Sequence, residues 1–417
     1  MDKYEKVTRG ILIIIIVLMA IFSSINARDK RIKKEQEKES EVKVEMTDNY
    51  NLNLIKLINK KENVNYLISP YNIEIALNML REGSSGKTKE EIDKVIGNRK
   101  INDVSIKDKV SIANALFVKD IYKKDVKKDF TDTLNNKYKS EILYDKYETP
   151  KVINDWVYNK TNKMIDKLID RIDNDFVMGL ASALAIDVKW QSSFECQNTS
   201  EEKFTKEDNK IMLSEMMHKT YENNAKYFKT DLSEGIILPY DTEGNIELEF
   251  VGILPNSKVN EYVNKLTMEE LNNIFKNIKE ASNKVHIHLS LPRFTYSYDV
   301  NDFKKVLNDL GIKEAFSPSD ANFKKMIEID ENVYVGEAIH KTKIELSEKG
   351  TKAAAVTGFI MYKNSAALDQ QNYEDIFVKF NKPFVYMIRE KNTGEILFFG
   401  TVFEPNKWKS NTCSNVE

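Results

Sequence analysis

The chain has 417 residues, of which 41% are apolar and 31% are charged. This balance is typical of a globular protein and leaves room for one large domain or two medium ones. The 63 basic and 65 acidic residues are mixed along the sequence, so no basic stripe indicates nucleic-acid binding and no acidic tail indicates a disordered activator. We therefore expect no nucleic-acid partner.

The first 27 residues differ in composition from the rest of the chain. Three basic residues precede an apolar run over residues 11–22, which has the length of a signal-peptide core and is short for a membrane span. Residues 1–27 are predicted to be either a cleaved export signal or a retained membrane anchor. Both alternatives place the rest of the chain in the extracellular space or at the cell surface. Residues 28–47 are rich in charge and are predicted to be a flexible tether.

The sequence contains two cysteines, Cys196 and Cys413, which are too few for a disulfide framework. Cys413 lies in a polar C-terminal tail, residues 408–417. The sequence favours two free thiols and leaves one bridge between them open. We therefore expect the core, rather than cross-links, to hold the fold together.

Helical patterns dominate the first part of the chain after the tether. A helix is followed by a short strand at 66–68 and by a second helix that begins near Pro70 and ends near Gly83, residue types that are common at these two positions. The alternating stretch 110–118 predicts a strand. An apolar stripe that includes Trp156 predicts an amphipathic helix over 153–169.

Strand patterns dominate the second part. The predicted strands are the runs GIILPY, IELEFVGILP, VHIHLSLPRFTYSY, VYVGEAIHKTKIELS, KPFVYMIRE and GEILFFGTVF. Helices followed by several long strands indicate an α+β fold with at least one large mixed sheet.

The sequence offers little support for an enzyme. His286 and His288 lie two residues apart on one strand and could share a metal ion, but no convincing third ligand is near them in the sequence. The stretch GSSG is not a nucleophile elbow, and neither a P-loop, a dinucleotide fingerprint nor a zinc-protease helix occurs. We expect no catalytic residues, no metal and no cofactor.

The segment 348–373 is strand-like where it begins and loop-like where it ends, because small and apolar residues give way to Ser, Asp, Gln and Asn. Its first part resembles the hinge that precedes the reactive loop of the serpins, the serine protease inhibitor family. Other stretches that resemble this family, in chain order, are LISPYNIEIALNMLREGSSGKTKEEI, INDWVYNKTNKMI, VKWQSSF, MMHKTY and FNKPFVYMIREKNTGEILFFGTVFEP.

The resemblance implies the serpin fold over residues 48–407, an α+β domain with three β-sheets, eight or nine helices and an exposed reactive-centre loop at about 348–376. It also implies a mechanism. A target protease attacks the loop as a substrate and forms an acyl-enzyme, and the cut loop then inserts into the central sheet and traps the protease as a covalent complex. We expect a monomer.

The hinge must be an exposed loop before cleavage and a buried strand afterwards, and small side chains meet both demands. The hinge residues implied by the resemblance are Glu348, Gly350, Thr351, Ala353, Ala354 and Ala355. The period of a strand places Thr351, Ala353 and Ala355 on the inward face, where a charge would have to be desolvated. Lys352 departs from the acidic residue that is common in the family, but it lies on the outward face.

The resemblance implies two more groups. The breach, at the top of the central sheet, consists of Trp190, Arg293 and Glu348. The shutter, under the sheet, consists of Ser69, Asn72, Ser182 and His340. The family usually has Lys in place of Arg293, Ser in place of Asn72 and Asn in place of Ser182. We expect Arg293 to keep the charge and the other two residues to exchange roles.

The cleaved bond follows from a count. Inhibitory serpins keep a nearly fixed span from the hinge Glu, and 17 positions counted from Glu348 end at Asn364. The predicted bond is therefore Asn364–Ser365, and cleavage after Lys363 is an equal alternative that suits a trypsin-like protease.

The sequence thus favours an irreversible inhibitor of extracellular proteases, with serine proteases as the first class and cysteine proteases as the second. A non-inhibitory serpin that acts as a binding or scaffold protein is the alternative. Such members tend to carry bulky, charged or Pro residues where this chain has alanines, so the hinge favours inhibition.

Overall fold

The computed structural model describes residue 47 and residues 49–59, 63–97, 100–242, 244–351 and 373–405. The predicted export signal or anchor, nearly all of the tether, most of the reactive-centre loop and the C-terminal tail lie outside these residues. Within the described ranges, no helix has the length and apolar character needed to span a membrane.

The described residues form eight α-helices. In chain order these are α1 (Tyr50–Ile58), α2 (Pro70–Glu82), α3 (Gly86–Ile96), α4 (Lys128–Tyr138), α5 (Lys151–Lys160), α6 (Val259–Lys265), α7 (Met268–Lys276) and α8 (Phe303–Leu310). Helix α2 begins at Pro70 as predicted, because the Ser69 side chain caps it by accepting a hydrogen bond from the Asn72 N–H.

The helix predicted over 153–169 is shorter than expected, since α5 ends at Lys160. Asn162 and Lys163 have φ angles of 50° and 63°, a left-handed conformation that a right-handed helix cannot continue through. The apolar periodicity therefore predicted the helix correctly and its C-terminal end wrongly.

Eighteen strands are present in the same ranges. They are β1 (Tyr66–Ile68), β2 (Val110–Lys119), β3 (Glu141–Asp145), β4 (Met178–Ile186), β5 (Val188–Lys189), β6 (Thr199–Thr205), β7 (Ile211–Tyr221), β8 (Lys226–Lys229), β9 (Ser233–Pro239), β10 (Leu248–Pro255), β11 (Ile278–Glu280), β12 (Val285–Pro292), β13 (Phe294–Asp299), β14 (Lys341–Ser347), β15 (Gly350–Thr351), β16 (Glu374–Lys379), β17 (Phe384–Glu390) and β18 (Ile396–Val402).

The strands assemble into one large sheet, one four-stranded sheet and a third sheet that is divided. The large sheet has the order β1-β18-β17-β10-β9-β8-β11, and the four-stranded sheet has the order β16-β12-β7-β6. The divided sheet consists of β3-β2-β4 and β13-β14-β15-β5. Only Asp187 separates β4 from β5, so these two strands follow one another and join the two pieces into the central sheet. We call the space between β4 and β14, where the described strands of the two pieces are not paired, the division. The predicted α+β class with three sheets and eight or nine helices is confirmed.

The core lies between the sheets and the helices. Most buried apolar side chains belong to one cluster, and a smaller cluster lies where α5 packs on β2 and β4. In the smaller cluster the Trp156 ring meets Phe117 edge-on, with ring centroids 5.5 Å apart. Helix α5 therefore covers one face of the three-stranded piece of the central sheet.

The strand predicted over 333–347 begins later than expected. Strand β14 starts at Lys341, opposite the last residue of β13, Asp299. Residues 333–340 extend past the end of β13 on one side and face the division in the central sheet on the other, so no strand among the described residues lies beside them to form a ladder.

Cys196 is disulfide-bonded, so the prediction of two free thiols is wrong at this residue. Sequence spacing does not show which residues a fold brings within bonding distance. Cys413, the other cysteine of the sequence, lies outside the described residues.

Candidate functional site

Two of the hinge residues already lie in the central sheet. Gly350 and Thr351 form β15, which pairs antiparallel with β14 on one side and with β5 on the other. The chain reverses direction over residues 348–349, so β15 runs back between β14 and β5. The sequence predicted a loop before cleavage, and these two residues are instead part of a strand.

Gly350 is required by this geometry. Its φ angle is +149° and a Cβ atom at this position would lie 2.1 Å from the backbone oxygen of Val188. An L side chain rarely adopts such a φ angle, and no real contact is that short, so a residue other than glycine would push β15 away from β5.

The buried side chain of Thr351 points into the protein. Its Oγ1 lies 2.6 Å from the hydroxyl of Tyr240, and the Tyr240 ring stacks on Trp190 with centroids 4.7 Å apart. Burial raises the pKa of Tyr240, which keeps the hydroxyl protonated and able to donate. The inward face predicted for Thr351 is thus the face that it occupies in the structure.

The three breach residues meet at the turn before β15. Trp190 donates its backbone N–H to the oxygen of Lys349 at 3.0 Å and its indole Nε1–H to the oxygen of Ser347 at 2.8 Å. Arg293 Nη1 lies 3.4 Å from Glu348 Oε1. Trp190 therefore holds the backbone on both sides of Glu348, and Arg293 holds its carboxylate.

Arg293 and Glu348 are both buried, and other groups share their charges. Arg293 Nε donates to Glu215 Oε2 at 3.1 Å, and the Thr199 hydroxyl donates to Glu348 Oε1 at 2.8 Å. Removing one partner of such a buried pair commonly costs about 3–5 kcal/mol, because the remaining charge stays desolvated. The position of the turn is therefore strongly specified.

The shutter residues connect the start of α2 to both sides of the division. On one side, the Ser69 backbone N–H donates to His340 Nε2 at 3.0 Å. On the other side, Asn72 Nδ2 donates to the backbone oxygen of Ser182 at 2.8 Å, and the Ser182 hydroxyl donates to Asn72 Oδ1 at 2.6 Å. Asn72 and Ser182 thus bond directly to each other, and their exchange of roles stays a prediction.

His340 is held in its neutral form. Its Nε2 accepts a hydrogen bond and therefore carries no proton. Burial lowers the pKa of this imidazole from 6.5 to about 3, since a charge at this position would lose its hydration.

A cavity of ≈ 1680 Å³ lies along the division. All four shutter residues line it, together with apolar side chains of α2 and β4, residues 332–340 and Thr351 of the hinge. The cavity therefore reaches from the shutter to Thr351 of the hinge.

The remaining predicted site residues belong to the reactive-centre loop. Ala353, Ala354, Ala355, Lys363, Asn364 and Ser365 lie outside the described residues. Conversely, the sequence analysis missed Thr199, Glu215 and Tyr240, which contact Glu348, Arg293 and Thr351 across long sequence separations. No local pattern marks these three residues.

His286 and His288, considered above as a metal pair, stack instead on Tyr373 and Phe377, with ring centroids 4.1 and 4.5 Å apart. In the part of the chain that the structure describes, no group of three or more His, Cys, Asp or Glu side chains is arranged to hold a metal ion.

Comparisons with known proteins indicate one family. A family model described as "Serpin (serine protease inhibitor)" matches residues 45–405. Human neuroserpin is 30% identical over 381 residues, which cover 82% of this chain and 87% of that protein. Human glia-derived nexin is 30% identical over 376 residues, which cover 84% and 90%.

A solved structure is also similar. The native state of tengpin, a thermophilic serpin, matches with a TM-score of 0.72 and 29% identity over 86% of this chain and 93% of that one. The chain belongs to the serpin family. Members of this family are protease inhibitors in general, and some are non-inhibitory.

Neutral His340 makes the folded protein sensitive to acid. The unfolded imidazole binds a proton near pH 6.5 and the folded one only near pH 3, so between these values the unfolded state binds more protons and stability falls as the pH falls. From pH 7 to pH 5 we expect this group to remove about 2 kcal/mol of unfolding free energy. Urea unfolding of the parent and of His340→Gln at both pH values measures it.

The substituted protein should lose less stability than the parent on acidification, because glutamine does not titrate. The control is Ile121→Ala, an exposed substitution outside the shutter that removes no titratable group and should respond to acid as the parent does. Equal losses in the parent and in His340→Gln would contradict the assignment of a buried neutral imidazole.

Proposed function

We propose that this chain is an irreversible suicide-substrate inhibitor of extracellular proteases, with serine proteases as the main targets. The protease cleaves the reactive-centre loop after Asn364 or Lys363 and is trapped as an acyl-enzyme while the cut loop inserts into the central sheet. The proposal includes a monomeric serpin domain over residues 48–407 that is secreted or anchored at the cell surface by residues 1–27.

The observation that carries the proposal is the position of β15. Two hinge residues already lie as a strand between β5 and β14, directly above the division in the sheet. Strand β4 is an edge strand of its piece, and an unpaired edge is a template for a further strand. Continued insertion only has to extend β15 in the direction in which it already runs.

The energy available is sufficient for a trap. An inserted strand that forms about ten backbone hydrogen bonds gains roughly 1 kcal/mol net for each, or on the order of 10 kcal/mol before apolar burial is added. This exceeds the total stability of many domains.

The small residues of the hinge favour this function over that of a non-inhibitory serpin. With Thr351 buried, the strand period predicts that Ala353 and Ala355 face inward and that Ala354 faces outward. Alanine at both inward positions meets no steric barrier between two existing strands.

A protease panel tests the proposal. The purified protein without residues 1–27 is incubated with trypsin-like, chymotrypsin-like, subtilisin-like and papain-like proteases and examined on denaturing gels. We expect a band of the summed mass that survives boiling with at least one serine protease, because the ester bond persists. Mass spectrometry of the released C-terminal peptide should show cleavage after Asn364 or Lys363. If proteases of the panel cleave the loop and none of them forms an adduct, the protein is a substrate and not an inhibitor.

A second measurement tests the driving force. Protein cut in the loop by a protease that is not trapped should melt well above the intact protein, because insertion adds on the order of 10 kcal/mol. For a domain of this size the expected rise is on the order of 20 °C. Equal melting temperatures of cut and intact protein, measured by calorimetry, would remove the proposed driving force.

A matched pair of substitutions tests the hinge. Ala353→Arg places a charge on the predicted inward face and should convert the inhibitor into a substrate, because the charge would be buried on insertion. Ala354→Arg is the control: it adds the same side chain one position away on the predicted outward face and should still form the adduct. Gel band ratios and the stoichiometry of inhibition give the comparison.

If both variants form the adduct equally well, the assignment of faces is wrong. Thr351→Arg would be a less informative test than Ala353→Arg. Thr351 is already buried against Tyr240 in the uncut protein, so its substitution should also lower the melting temperature.

A further inference from the structure

The four-stranded sheet carries exposed aromatic side chains where the reactive-centre loop rejoins the fold. Phe377 is 70% exposed and Tyr373 is 51% exposed. Phe377 is the most exposed large hydrophobic side chain in the described ranges. Its strand, β16, is the edge strand of its sheet and the first strand after the loop.

The two rings are held in place from below. Phe377 stacks on His288 at an interplanar angle of 13°, and Tyr373 stacks on His286 at 26°. His288 is fixed in turn, since its Nε2 lies 2.7 Å from Asp375 Oδ1 and its Nδ1 lies 3.0 Å from the Thr220 hydroxyl. One face of each ring is therefore covered by an imidazole and the other face is open.

Rigid exposed aromatic side chains are well suited to protein recognition. They bury a large area on binding and lose little conformational entropy, and aromatic residues dominate the strongest contacts of protein interfaces. We propose that the β16 aromatic patch, defined as Tyr373 and Phe377 with His286 and His288, is a docking surface for the target protease. This inference rests on the proposed function.

The length of the loop argues for this partner. Eight residue steps connect the predicted cleaved bond, at Ser365, to Tyr373, and they span at most about 29 Å. A protease domain of about 200 residues has a radius of gyration of about 16 Å and is roughly 40 Å across. A protease engaged at this bond therefore lies within reach of the patch. The other side of the loop is longer, with 13 steps from Thr351 to Asn364.

The test compares inhibition rates for a protease that forms the adduct with the parent. Phe377→Ala and Tyr373→Ala should each lower the second-order rate constant of inhibition by about tenfold, since a contact of this kind is removed from the encounter complex. The stoichiometry of inhibition, the adduct that survives boiling and the melting temperature should be unchanged, because the side chains are exposed and the insertion step does not involve them.

Ile121→Ala is the matched control. Ile121 is 64% exposed and lies in a 3-10 helix, Asp120–Tyr122, outside β16, so its substitution should leave the rate constant within about twofold of the parent. If the parent traps a protease and Phe377→Ala traps it at the same rate, the docking surface is wrong and the proposed function is unaffected. A parent that forms no adduct with any protease would overturn the proposed function and the docking surface with it.

Self-association is the competing use of the same patch. Sedimentation of the parent and of Phe377→Ala over a range of concentrations separates the two. A parent that dimerises through Phe377, with inhibition rates unaffected by the substitution, would assign the patch to a second copy of the chain and overturn the proposal. A monomer at all concentrations together with a slowed variant supports it.

Discussion

A few hydrogen bonds at the start of helix α2 hold the two sides of a divided sheet, and the rest of the structure depends on them. Ser69 holds the side that carries His340, and Asn72 holds the side that carries Ser182. Each bond is worth only about 1 kcal/mol net. The division is thus maintained by weak, separable contacts, whereas a fully paired sheet would have no place for another strand.

The breach holds the turn before β15 through buried charges, whereas the shutter contacts are hydrogen bonds at the start of α2. The buried Arg293 and Glu348 side chains, with Glu215 and Thr199, fix the turn from which the hinge starts. A pair of this kind contributes little net stability compared with apolar packing, but it is costly to break. Its placement at the foot of the hinge therefore favours a role in specificity, because it fixes where the turn before β15 lies.

Local patterns in the sequence were enough for the fold class and for most elements, and they failed where the deciding contact is remote. Strand propensity over 333–340 was misleading because the neighbouring strand is absent there. The end of α5 depends on left-handed backbone at Asn162 and Lys163, which periodicity does not show. The resemblance to serpins supplied the breach and the shutter, but Tyr240 and Glu215 join them only through the folded chain.

The pairing register of β15 determines which hinge residues face inward. Because side chains alternate along a strand, a slip by one residue would exchange the inward and outward faces of the whole hinge. Gly350, which alone fits against Val188, and the anchored carboxylate of Glu348 prevent such a slip. In the fixed register the strand period predicts that Lys352 would face outward on insertion, where its charge would stay in water. In the slipped register the same charge would be buried, so a chain that carries lysine at this position depends on an anchored hinge.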